Sequence, residues 1–236
     1  MIPRVTSLVR LGRVPVPHTN DATYALDGDG RRWVAKREVD MGCEALLAEA
    51  LTWLLARRIG APTPDAAWFE DADGRSWLSA WVPHAKHWSA HMAGVIRNPA
   101  EAAAILALDA VVCNEARHGG NLLLVPDARG GSSVVAIDGD EALIGHPQEL
   151  ARRGLVPPDP RILARGFPPD EWRVEALAAA ARCAALAAAD LSADARGACA
   201  VAREPAVDAV VALLSERCAH AVSLTDAYLS LVEARP

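Results

Sequence analysis

Little in this sequence suits an oxidising or membrane environment. Its five cysteines, Cys43, Cys113, Cys183, Cys199 and Cys218, are odd in number, widely scattered, and include no Cys-x-x-Cys pair. A disulfide framework or zinc knuckle is therefore not expected, and a reducing compartment is. No run approaches the ~18 consecutive apolar residues a membrane span requires. The longest apolar stretch, residues 176–189, is mostly alanine and is interrupted by Arg182. Met1-Ile2-Pro3-Arg4 lacks the basic, apolar, then small-residue order of a secretory leader. The expectation is a cytoplasmic protein with no membrane partner. Basic charge is not in surplus either: the net charge is −6, which disfavours generic binding to nucleic acid, so none is expected as a partner. Gly-x-Ser-x-Gly and His-Glu-x-x-His are both missing. Residues 27–30 and 138–141 echo the start of a calcium loop, but neither continues with its twelve-residue ligand spacing.

What is present is the composition of a folded domain. Hydrophobic residues make up 52% of the 236 positions and charged residues 23%, enough apolar surface for one core or two intimate lobes. Strand-like runs at 22–26 and 32–36 flank Asp27-Gly28-Asp29-Gly30, a hairpin signal. Leu46, Leu47, Ala50, Leu51, Leu54 and Leu55 recur at helical spacing and predict a helix over 42–58, stopped by Gly60 and Pro62. Two more strands are expected at 66–69 and 76–82. After Pro83 the pattern changes to a helix at 99–113, short strands at 121–125 and 133–137, and an almost wholly helical remainder from Pro147. The helices expected there lie near 170–189, 204–219 and 223–234. The fold class is thus α+β and bilobal: a β-rich lobe with one long helix over 1–83, a mainly helical lobe over 84–236, and a hinge near 82–86.

Several polar residues sit where that pattern would make them useful. Transfer of a phosphoryl group from ATP needs a cation for the phosphates, an acid to hold that cation, oxygen ligands for Mg²⁺, and a group that orients the acceptor hydroxyl. Lys36 ends a strand, and Glu49 lies mid-helix beside the apolar face, with Glu44 as a competitor nearer the helix start. On residue type alone, a solvated lysine and a surface carboxylate are the plainer readings. Asn121 follows Gly119-Gly120, and Asp138 ends an apolar run before Gly139, so one hairpin would carry both to the same end of paired strands. His84, His87 and His91 would share a helix face and could bind zinc there, although an amphipathic linker is the commoner outcome.

The stretch Asn114-Glu115-Ala116-Arg117-His118-Gly119-Gly120-Asn121, with Ile137-Asp138 downstream, resembles the HipA-like kinases, whose loop runs Asn-x-Asp-Arg-His-x-x-Asn before a strand ending in Ile-Asp. Residues 49–64 resemble that family's Glu-bearing helix, and their register selects Glu49 over Glu44. The likeness spans roughly 24–143 and implies a protein-kinase-like, phosphatidylinositol-kinase-like fold in a short stand-alone form, without the additional amino-terminal module of larger members. It implies that Lys36, held by Glu49, contacts ATP phosphates, that Asn121 and Asp138 bind Mg²⁺, and that Arg117 and His118 brace the loop. Residues 77–82, with Ala80, Trp81 and Val82, would border the adenine. The phosphate loop would fall on His18-Thr19-Asn20-Asp21-Ala22-Thr23, which contains no glycine, so Thr23 and its neighbours would cap phosphate in its place.

Residue 116 breaks the pattern. The family has an aspartate there that accepts the acceptor's hydroxyl hydrogen bond and orients it, which an alanine cannot do. Turnover is expected to fall ~10²–10⁴-fold, the range for a lost general base, with ATP and Mg²⁺ binding retained. Glu115 is a poor substitute, because neighbouring side chains of an extended loop point apart. Every other motif member survives, so the chain reads as an inactivated kinase for a hydroxyl of a protein, peptide or small molecule. The competing reading is a natural pseudokinase that acts as a nucleotide- or partner-binding module.

Overall fold

Turn chemistry sets the first hairpin. Asp27 Oδ1 accepts the backbone N–H groups of Asp29 and Arg31 at 3.0 and 2.9 Å, and Gly30 takes φ 76° to complete the reversal. β2 (Ala22–Asp27) and β3 (Arg32–Arg37) consequently pair antiparallel, with Ala22 opposite Lys36 and Tyr24 opposite Val34. β4 (Ala66–Asp71) and β5 (Gly74–Ala80) form the second hairpin, and β5 joins β3. An edge strand not anticipated from the sequence, β1 (Leu8–Arg13), completes a sheet of order β1-β2-β3-β5-β4. The computed structural model describes residues 1–14, 22–128, 130–167 and 172–235.

Strand alternation gives this sheet two unlike faces. Ala25, Trp33, Ala35, Ala67, Phe69 and Leu78 form a small core on one face. Lys36 and Trp77, paired across β3 and β5, look the other way. After β3 come the short α1 (Glu38–Met41) and the long α2 (Cys43–Ile59), which ends where the Gly60 N–H, in left-handed backbone, donates to Ala56 O. The leucines of α2 at positions 46, 47, 51, 54 and 55 lie in the main core, together with Trp77 and the helices that follow.

The carboxyl-terminal part contains α3 (Pro99–Val112), α4 (Pro147–Arg153), α5 (Arg173–Ala184), α6 (Ala188–Ala202), α7 (Val207–Ala219) and α8 (Ala221–Glu233). The same part carries a small sheet of β6 (Lys86–His87), β7 (Leu122–Pro126) and β8 (Ser132–Ala136). The helix expected at 170–189 is α5, which ends at Ala184, and a helix not anticipated from the sequence, α6, follows at 89° to it, with Ala187 extended between them. Alanine favours helix but does not say where a helix must turn, and here the turn lets α6 pack on α2. Residues 154–167 are also less helical than expected, with one short 3₁₀ turn at Pro160–Ile162. Pro157, Pro158 and Pro160 remove amide donors and restrict the residues before them.

Arginines tie the first part to the last. Arg58 forks onto Asp194 of α6 at 2.8 and 3.2 Å, Arg182 of α5 donates to Ile59 O at 2.9 Å, and buried Arg75 of β5 reaches both Val201 O and Glu38. The five cysteines are free thiols, all but Cys43 buried. Among the described residues no single helix is long and apolar enough to cross a membrane.

Candidate functional site

Lys36 is the centre of the site. Its place on β3 turns it to the face opposite the small core, between Ala22 of β2 and Trp77 of β5. There Nζ donates to Glu49 Oε1 of α2 at 2.7 Å, to Asp138 after β8, and to Asp140 Oδ2 at 3.0 Å. Burial opposes the ammonium charge, but Glu49, Asp138 and Asp140 together hold its pKa well above the ordinary lysine value. Burial pushes the Asp140 carboxyl up to about 7; Lys36 pulls it down, while Glu49 and Asp138 add to the rise. Glu49 also accepts the Gly139 N–H on Oε2 at 3.1 Å, which fastens the 138–140 turn to α2. Asp138 itself has left-handed backbone, φ 65°, a strained conformation for a non-glycine residue of the kind found at functional sites.

A second group of bonds fixes the loop between α3 and β7. Arg117 is fully buried, grips Asp109 of α3 at 2.9–3.3 Å, and donates to Asn121 O and Ile137 O at 3.0 and 2.7 Å. Burial alone would weaken this guanidinium, but the Asp109 carboxylate beside it raises its pKa. Arg217 of α7 closes the end of α3 by donating to Ala110 O and Val111 O at 2.8 and 2.6 Å. Ala116 is buried and bound through its backbone: its N–H donates to Asn114 Oδ1, and its carbonyl accepts from Asn121 Nδ2, both at 2.9 Å. That bond leaves the Asn121 amide oxygen as the atom able to accept a cation. His118 is exposed and takes the Gly120 N–H on Nδ1 at 3.1 Å, a brace local to the turn. Glu115 is engaged elsewhere, by Arg153 and by the Asp159 N–H at 3.1 Å.

The strand register carries Asn121 and Asp138 to one end of the small sheet, with the Ile137 N–H on Asn121 O at 3.1 Å. In front of Lys36 and Asp138 lies a cleft of about 160 Å³, lined also by Ala22, Tyr24, Ala80, Trp81 and Val82. Thr23 does not line it. Alternation puts its side chain on the face opposite those of Ala22 and Tyr24, where the hydroxyl donates to Ala35 O at 3.5 Å. His18, Thr19, Asn20 and Asp21 lie outside the described residues. The three histidines do not share a helix: His84 has φ 60°, His87 is in β6, and His91 is in a 3₁₀ segment, Ala90–Val95. Pro83 and the pairing of Lys86 with Leu124 force this segment to extend.

Asp140 and Asp109 are the residues the sequence reading missed. Asp140 was set aside with an imperfect calcium loop, although an Asp-Gly-Asp after a buried strand was a usable sign. Asp109 was the single charge in the apolar run 102–112 of α3. The carboxylates of Glu49, Asp138 and Asp140 lie within 4.8 Å of one another around the Lys36 ammonium, and carboxylate oxygens of this kind are the ligands hard divalent cations favour.

No family model matches the sequence, and no curated protein matches it either. Among solved structures, the Helicobacter pylori proinflammatory kinase CtkA aligns over 100% of both chains with a TM-score of 0.66 at 7% identity. HipA of the Shewanella oneidensis MR-1 toxin–antitoxin system, solved with HipB and operator DNA, aligns over 95% of this chain and 67% of its own, with a TM-score of 0.45 at 12% identity. The Leishmania major MAP kinase LmaMPK10 aligns over 97% and 84%, with a TM-score of 0.26 at 11% identity. Of the three, the Helicobacter kinase superimposes well enough to define the fold, and at such low identity it speaks for the fold alone. The chain has an α+β, bilobal kinase-like fold, as the HipA-like resemblance implied.

Proposed function

We propose that the protein binds Mg-ATP in the cleft before Lys36 and belongs functionally with phosphotransferases that act on a hydroxyl acceptor. The observation that carries this reading is the meeting of Lys36, Glu49 and Asp138, from three distant parts of the sequence, at one lysine amine. Residues 1–83 supply Lys36, Glu49 and the adenine-side residues Ala80, Trp81 and Val82. Residues 84–236 supply the loop and Asp138. Asp138 and the Asn121 amide oxygen would hold Mg²⁺, which when bound neutralises charge on the phosphates. Lys36 would fix phosphate oxygens, while Arg117 holds the loop to α3 and to the end of β8. Thr23 has no direct part in this reading, since it faces away from the cleft.

Position 116 has no side chain able to orient an acceptor, so the chain as it stands binds without efficient turnover. The test is Ala116→Asp, assayed for ATP hydrolysis and for labelling of added acceptors. Turnover is expected to rise ~10²–10⁴-fold and to vanish again when Asp138→Ala is added. Mg-ATP binding without any gain from Ala116→Asp would favour the second reading, a nucleotide- or partner-binding module, to which the alanine itself points. No Mg-ATP binding by the unaltered chain would defeat both.

A further inference from the structure

An ammonium has three N–H donors, and at Lys36 three carboxylates receive them: Glu49, Asp138 and Asp140. A lysine saturated in this way cannot also hold a phosphate, so one bond has to open when nucleotide arrives. Exposure distinguishes the three. The Asp138 side chain is 21% exposed, against 7% for Glu49 and 7% for Asp140. Asp138 lines the cleft beside Lys36, whereas Glu49 and Asp140 do not. The two buried carboxylates therefore stand behind the amine, and Asp138 stands on the ligand side. Glu49 reaches Lys36 through Oε1 alone, because Oε2 is occupied by the Gly139 N–H. A single hydrogen bond would leave the amine free to swing about it.

We propose that Asp140 is a positioning residue for Lys36: together with Glu49 it fixes the amine from behind, so that Asp138 can be given over to a cation and the third N–H to phosphate. This rests on the nucleotide-binding reading above. It also separates the roles of three acids that lie within 4.8 Å of one another. Asp138 faces the ligand, and Asp140 serves the lysine without joining the metal.

Calorimetric titration of ATP and a non-hydrolysable analogue tests this on the full chain, on Asp140→Asn and on Asp138→Asn, with Mg²⁺ titrated and with EDTA. Loss of one charge-assisted hydrogen bond from Lys36 is expected to weaken nucleotide binding to Asp140→Asn about 10-fold, in EDTA as well as in Mg²⁺. The Mg²⁺ midpoint should stay where it is, and the thermal midpoint should not fall, because one of three crowded carboxylates has been neutralised. Asp138→Asn should instead lose the Mg²⁺ dependence. Unweakened binding by Asp140→Asn overturns the proposal while leaving the nucleotide site standing. A shifted Mg²⁺ midpoint with unchanged binding in EDTA overturns it by making Asp140 a ligand. Loss of fold in both Asp140→Asn and Asp140→Ser overturns it by giving Asp140 a structural task. A full chain that binds no nucleotide removes both readings together.

Discussion

Buried charge divides here into groups enclosed within the fold and groups beside the cleft. Asp109 and Arg117 are of the first kind. Both are fully buried, they bond only within the protein, and they join α3 to the loop that carries Ala116 and Asn121. Removing one partner leaves the other charge buried and unpaired. Asp109→Ala is therefore expected to cost about 3–5 kcal/mol of stability, read as a lowered midpoint in urea. A change under about 1 kcal/mol would mean that solvent reaches Arg117. Lys36, Glu49 and Asp138 meet at the cleft, where the proposed function places them, and their order along the chain, Lys, Glu, loop, Asp, was visible in the linear sequence. Asp140 was less legible, since its local sign, an Asp-Gly-Asp after a buried strand, does not name a partner. Its meaning comes from a lysine 104 positions earlier. Thr23 illustrates the converse error. A one-residue step along a strand reverses its face, and no motif in the sequence fixed that step.

Among the elements, α2 is the one whose environment sequence reasoning described least fully. Its leucine stripe predicted one buried face, yet buried residues occur around most of its circumference, including Ala45, Ala48, Glu49 and Thr52. Part of the reason is the 3₁₀ turn Leu143–Gly145, which packs against it. A Cβ on Gly145 would come within 2.6 Å of Ala48 Cβ and 2.8 Å of its backbone nitrogen, so glycine is required there by close approach. Gly145→Ala is expected to cost about 1–3 kcal/mol through overpacking, and to weaken nucleotide binding by displacing Glu49. Denaturant titration and calorimetry on the same sample check both effects. Stability lost with affinity intact would uncouple the two. The α5–α6 corner has the same lesson. A run of alanines records helix propensity, while the 89° bend answers to the helix it must cover.

At the scale of the whole molecule, the β-rich and helical parts share a core. Among the described residues, the main cluster runs from Ile2 and the α2 leucines through α3 to Leu229 of α8, and a separate small cluster lies on the far face of the sheet. Arg58, Arg75 and Arg182 add polar ties across the same boundary. The two parts are accordingly expected to unfold in one transition, with tryptophan fluorescence and far-ultraviolet circular dichroism giving coincident curves. Separated transitions would show that the sheet, with Trp33 and Trp77, melts independently of the helices.

The sequence by itself determined the hairpins, the long helix and its glycine stop, the loop between α3 and β7, and the order of lysine, glutamate, asparagine and aspartate along the chain's own length. These follow from local causes: turn residues, apolar periodicity and a short motif. Tertiary structure alone decided which acids meet Lys36, which face Thr23 takes, where the alanine-rich helix breaks, and how α2 is enclosed. Each of those depends on contacts between residues many tens of positions apart, and such contacts leave no periodic trace in the chain.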